Sequence, residues 1–103
     1  MAKDEKAWMK FKLSKPVEYQ GIKAELVDLT KLEELTGRDM NQLYDLYAAS
    51  GGNGISMQES TLLFAQLIAN RVTGYPMELI ESFSAKDSFR LKNRVYRFFF
   101  LEA

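Results

Sequence analysis

The chain contains no cysteine and no histidine. The first absence excludes disulfides, thiolate metal sites and cysteine nucleophiles, and the second removes every histidine-based triad or metal cluster. A chain without cysteine fits a reducing cytoplasm. No apolar run approaches the ~20 residues needed to span a bilayer, and the charged first residues are unlike a signal peptide. Net charge is missing as well: fourteen bases balance fourteen acids, so no overall field draws the chain to nucleic acid or an anionic membrane. These absences lead us to expect a soluble, intracellular protein.

What is there is a chain of 103 residues, 47% hydrophobic and 27% charged, which suits one globular domain with a modest core. Its charge is unevenly spread. Residues 1–15 and residues 86–103 each carry five bases against two acids, leaving each end at +3 and the middle at −6.

The stretch from Gly54 to Gly74 dominates the pattern. At roughly 100° per residue, Leu62, Leu63, Phe64, Ala65, Leu67, Ile68, Ala69 and Val72 point almost all the way round a helix, leaving Glu59, Gln66 and Asn70 as a narrow polar strip. Such a helix must be covered on several sides, so it is expected to be central. So short a chain supplies few covering elements, and a second subunit is expected to provide some of the cover.

Before it, Met9, Phe11 and Leu13 alternate with Lys10 and Lys12, and Ile22, Ala24 and Leu26 alternate with Lys23 and Glu25. This period of two predicts an antiparallel hairpin over residues 8–29, interrupted at Ser14-Lys15-Pro16 and turning near Gln20-Gly21. Residues 1–7 are expected to be frayed. A helical turn is expected over Thr30–Leu35. Thr36 then reads as an N-cap with Asp39 near the helix dipole, and Met40, Leu43, Tyr44 and Tyr47 form one apolar stripe. That helix should stop near Ala49, before Ser50-Gly51-Gly52-Asn53-Gly54. The glycine cluster lacks the lysine-serine/threonine pair of a phosphate-binding loop and joins helix to helix, so it reads as a connector.

After the central helix, Pro76 opens a short helix near residues 77–82. Ser84 and Asp87 repeat the cap-plus-acid signal and start a last helix running towards Phe100. The expected fold class is α+β and mainly helical: an N-terminal β-hairpin followed by three to four helices, in one domain whose helical part spans residues 36–101.

No catalytic, metal-binding or cofactor-binding constellation emerges. Neighbours such as Ser14-Lys15 or Ser84 with Lys86 lack a supporting pattern for nucleophilic catalysis, and Glu33-Glu34 reads as surface charge. The last helix is more informative. Phe89, Leu91, Val95, Tyr96, Phe98, Phe99 and Phe100 cover a wide arc, opposite a stripe of Arg90, Arg94 and Arg97. Another molecule is expected to cover part of that arc, so this chain reads as an interaction protein, not an enzyme.

Several segments resemble, in order, those of phage tail assembly chaperones of the Mu-like and P2-like type. Leu13-Ser14-Lys15-Pro16-Val17 followed by Gly21 is similar to that family's N-terminal hairpin. Leu35-Thr36-Gly37-Arg38-Asp39-Met40 resembles the start of its first main helix. Ile68–Pro76, with its Thr73-Gly74-Tyr75-Pro76 step, resembles its apolar helix, and Ser84-Ala85-Lys86-Asp87 with Phe98–Phe100 resembles its last helix. The resemblance covers about residues 11–100.

It implies a protein of the bacterial host cytoplasm, absent from the mature virion. Such a protein binds the tape measure protein and keeps it soluble until the tail tube polymerises. It also implies no catalytic residues. On this reading Leu91, Val95, Phe98 and Phe99, with Met40, Leu43, Tyr44 and Tyr47 nearby, are expected to form a groove for the tape measure protein or for a homo-oligomer. Arg90 and Arg94 would bias it towards an acidic partner. The alternatives are a small dimeric nucleic-acid-binding regulator using the arginine stripe, and a structural tail or connector subunit.

Overall fold

The computed structural model describes residues 7–52 and 57–102. Most of the expected frayed start and part of the glycine connector lie outside the described residues. The chain is α+β: a two-stranded antiparallel hairpin followed by four helices. Strands β1 (Lys10–Tyr19) and β2 (Ile22–Asp28) are followed by a 3-10 turn at Thr30–Glu34 and helix α1 (Gly37–Ala49). A second 3-10 turn, Gln58–Ser60, leads into α2 (Leu62–Thr73), α3 (Met77–Glu81) and α4 (Ala85–Phe100).

The hairpin closes through Gln20 and Gly21, both with positive φ (49° and 83°), the combination that lets a two-residue loop follow the right-handed twist of its strands. Its register is not uniform. Lys12 pairs with Leu26 and Val17 with Ala24, so the four residues Leu13–Pro16 stand opposite Glu25 alone. The interruption read at Ser14-Lys15-Pro16 is therefore a large bulge inside one strand, and it leaves backbone N–H groups without cross-strand partners. Met9, Phe11 and Leu13 are buried beside Ala24 and Val27, as the alternation of β1 predicts. The alternation read in β2 does not hold: of Ile22, Ala24 and Leu26 only Ala24 is buried, and Val27 takes the second inward place. The carbonyl of the exposed Leu26 accepts from the Tyr75 hydroxyl at 3.0 Å.

Helix α1 starts as expected. The Thr36 hydroxyl accepts from the Asp39 backbone N–H, and the Asp39 carboxylate accepts from the Thr36 backbone N–H at 2.8 Å, a complete capping box. These bonds hold the Asp39 carboxyl below its ordinary pKa. At the other end Gly52 lies so close to the Tyr47 ring that an added Cβ would collide with it.

Helix α2 is central. It packs against α1, α3, α4, β2 and both 3-10 turns, and Phe64, Ala65, Leu67, Ile68, Ala69 and Val72 are buried. One detail departs from expectation. The helix begins only at Leu62, capped by the Thr61 hydroxyl on the Phe64 N–H at 3.2 Å, so Glu59 belongs to the preceding turn, not to a strip on the helix. There it accepts a hydrogen bond from Tyr44, which ties α1 to the turn that leads into α2 and raises the Tyr44 pKa. Most of its cover comes from this chain's own elements: of the eight apolar residues that point round the helix, six are buried, Leu63 is half-buried and Leu62 is exposed.

The exit of α2 is a structured corner. Gly74 sits at φ 80°, where a side chain would be strained. Asn70 donates to the Tyr75 carbonyl at 2.7 Å, and the Thr73 hydroxyl accepts from the Tyr75 N–H at 3.1 Å. Asn70 thus holds the corner, and Pro76 caps α3. Among the described residues no helix is long and apolar enough to cross a membrane.

Candidate functional site

Helix α4 faces three ways at once. Its sequence places Leu91 and Val95 on one stripe, Arg90, Arg94 and Arg97 on a second, and Phe89, Asn93, Tyr96 and Phe100 on a third. The structure gives each a different environment.

The first stripe faces α2. Leu91 and Val95 are fully buried. Phe98 and Phe99 pack half-buried against the core, and the Phe99 ring meets Phe64 edge-on at 6.3 Å. Phe64 in turn touches the rings of Tyr44 and Tyr47, so α1, α2 and α4 share one aromatic cluster.

The second stripe faces the hairpin. Arg90 donates to the Lys12 carbonyl at 3.3 Å, and Arg94 donates through Nε to the Trp8 carbonyl at 2.8 Å. The Arg94 guanidinium also stacks 4.4 Å from the Phe11 ring centre, and that of Arg97 lies 4.3 Å from the Trp8 ring centre, both in cation–π range. Burial, then the neighbouring charges of Arg90 and Arg97, lowers the Arg94 pKa. The stripe clamps β1 onto α4.

At the start of α4 the clamp is completed by Asp87. Its backbone N–H binds the Ser84 hydroxyl, the expected cap. Its carboxylate, however, is fully buried and turned towards the bulge of β1. There it accepts from the Ser14 N–H at 3.1 Å, the Ser14 hydroxyl at 3.1 Å and the Lys15 N–H at 3.2 Å, and pairs with Arg90 at 3.3 Å. Desolvation raises the Asp87 pKa, but these donors outweigh it and hold the carboxyl below its ordinary value.

The third stripe faces solvent. Phe89 is 60% exposed and Phe100 39%, Asn93 is exposed and Tyr96 half-buried. Tyr96 and Phe100 stack at 4.8 Å, and the Lys92 ammonium lies 5.0 Å from the Phe89 ring centre.

The expected partner-binding set is therefore divided. Leu43, Tyr47, Leu91 and Val95 lie in the chain's own core and cannot line an open groove in this fold. Met40, Tyr44, Phe98 and Phe99 are half-buried against that core. Arg90 and Arg94 bind the hairpin. The exposed large apolar side chains among the described residues are others: Phe89, Phe100 and Leu101 on or beside α4, Ile22 and Leu26 on β2, and Leu46, Met57 and Leu62 elsewhere. The four-three-four spacing of Phe89, Asn93, Tyr96 and Phe100 is the sequence signal that separates this seam from the core stripe.

Among the described residues no group of acids is placed to hold a metal ion. No protein-family model, curated protein or solved structure matches this chain.

Proposed function

We propose that the protein is a phage or prophage tail assembly chaperone. It would act in the host cytoplasm, bind the tape measure protein, keep it soluble until the tail tube polymerises, and be absent from the finished virion. The observation that carries this reading is the ordered set of family-like segments, each of which falls on a junction the fold depends on. Leu13–Pro16 forms the bulge of β1, Thr36–Asp39 the cap of α1, Thr73–Pro76 the corner after α2, and Ser84–Asp87 the start of the α4 clamp.

The surface suits such a client. A long amphipathic helix exposes apolar side chains along its length, and small adaptors with exposed apolar residues can coat it. Weak contacts repeated along one chain gain avidity, yet each gives way when tube subunits compete. The arginine clamp argues against the nucleic-acid-binding alternative, because Arg90 and Arg94 direct donors to hairpin carbonyls instead of outward.

Co-expression with the tape measure protein of the same phage or prophage tests the reading. The client should be soluble with the chaperone and aggregate without it; equal solubility in both would refute the proposal. Detection of the protein in purified virions would favour a structural tail or connector subunit instead.

A further inference from the structure

The seam on α4 has a geometry of its own. Phe89, Asn93, Tyr96 and Phe100 recur at four, three and four residues, the 3.5-residue period of a stripe that packs along another helix. It runs about 16 Å at ~1.5 Å per residue. The chain's core is closed without it, since Leu91 and Val95 on the adjacent stripe are already buried. Phe89 stands as a ridge between two clefts. One is lined by Ser14, Ala85, Lys86 and Arg90, the other by Leu62, Gln66, Glu81, Ala85 and Lys92. A helix laid on the seam would cover Phe89 and the exposed Leu62 together.

The charges beside the seam select the occupant. Lys86 flanks it on one side and Lys92 on the other, while Arg90 and Arg97 are already paired with Asp87 and Glu102. Helix α4 carries five bases against a single acid, Asp87, and that acid is buried against β1. Glu81 at the edge of the second cleft and Glu102, paired with Arg97 at 2.7 Å, are the nearby acids. A second copy docked antiparallel would set Phe89 against Phe100 and Asn93 against Tyr96, but would also lay two lysine-flanked seams on each other with no exposed acid on either α4 to meet them. Like charges along the flanks of a helix pair are unfavourable and set partner choice.

We propose that the Phe89/Asn93/Tyr96/Phe100 seam of α4 is a docking surface for an amphipathic helix of another protein that carries acidic residues beside its apolar stripe. Phe89 and Phe100 supply the apolar anchors, Asn93 fixes the register between them, and Lys86 and Lys92 meet the acidic flanks. The assignment rests on the seam and its charges, and holds or fails separately from the tail-assembly reading.

The test uses the full-length, isotope-labelled protein and two synthetic helical peptides of about three heptads. Both have leucine at the seam positions; one has glutamate flanks and the other lysine flanks. The acidic peptide should give saturable amide shifts along α4, centred on Phe89 to Phe100. The lysine peptide should bind at least ~10-fold more weakly, as should the acidic peptide to Phe89→Ala, a truncation of an exposed anchor. The double variant Lys86→Glu/Lys92→Glu should reverse the preference between the peptides. Equal affinity for both peptides, no binding of either, or shifts confined to another face would overturn the proposal. So would concentration-dependent broadening of the seam without peptide, which would assign the surface to a second copy.

Discussion

Ser14 gives both its backbone N–H and its hydroxyl to the carboxylate of Asp87, 73 residues further along the chain. The pairing answers two problems with one contact. The bulge of β1 strands the N–H groups of Ser14 and Lys15, and the start of α4 brings a buried carboxylate that needs donors. The carboxylate alone would be costly, because a buried charged group without partners loses its solvation and regains nothing. Together they fix where the hairpin meets the helices.

Asp87→Asn tests the clamp. The amide keeps the shape but loses the charge, and one of its two acceptor sites becomes a donor that faces the N–H groups of the bulge. Bonds to a charged acceptor are worth roughly 1.5–3 kcal/mol each, and breaking a buried charge network costs more than an exposed one. We expect Asp87→Asn to lower the unfolding free energy by about 2–4 kcal/mol in urea titrations at neutral pH. A loss under about 0.5 kcal/mol would mean that the bulge is satisfied without the carboxylate.

Acid provides a second probe of the same group. The folded-state pKa of Asp87 lies below its ordinary value, so the folded state releases that proton more readily than the unfolded chain. Its contribution to stability is full above the ordinary carboxyl range near ~4 and disappears as pH falls through the lowered folded value. Asp28, lowered by its bonds to Thr30, and Asp39, lowered by those to Thr36, act with the same sign. Stability of the native chain should therefore decline below about pH 4. Asp87→Asn should show a shallower decline but not a flat one. Parallel curves for the two proteins would contradict the assignment.

Arg94 anchors the other end of β1. It combines a 2.8 Å bond to the Trp8 carbonyl with stacking on Phe11. Lysine keeps the charge but has neither the planar face nor the geometry to do both. Arg94→Lys should cost about 1–2 kcal/mol, the size of one hydrogen bond and one cation–π contact. Because Trp8 is the chain's single tryptophan, its fluorescence should report a loosened hairpin start, with red-shifted emission before global unfolding. Unchanged emission and stability would show that Arg97, stacked on Trp8, holds this end alone.

The sequence disclosed the elements better than their contacts. Local signals were sufficient for the caps at Thr36 and Ser84, the alternation of β1 and the corner at Gly74, because each depends on residues a few positions apart. In β2 they failed, since Ile22 and Leu26 are exposed and Val27 is buried. Asp87 was legible as a cap-region acid but not as the partner of Ser14, since only the folded chain brings them together. The arginines misled for a similar reason. A stripe of three bases reads as outward charge, yet a hairpin laid over α4 supplies carbonyls and rings that turn it inward. The wide apolar arc of α4 read as one surface, whereas packing against α2 divides it, burying Leu91 and Val95 and leaving Phe89 and Phe100 outside.

That division makes opposite predictions for residues only two apart. Leu91 is fully buried and Phe89 is 60% exposed. Leu91→Ala removes a core side chain that α2 cannot easily replace, and should cost about 2–5 kcal/mol. Phe89→Ala takes away a ring that few neighbours hold, and should change stability by less than about 0.5 kcal/mol. Thermal and urea unfolding of the two variants measures the contrast directly. Were the α4 arc one open surface, both substitutions would be mild. Were all of it core, both would be severe. The structure requires a large loss at Leu91 and nearly none at Phe89, because α2 packs against one stripe and leaves the next to solvent.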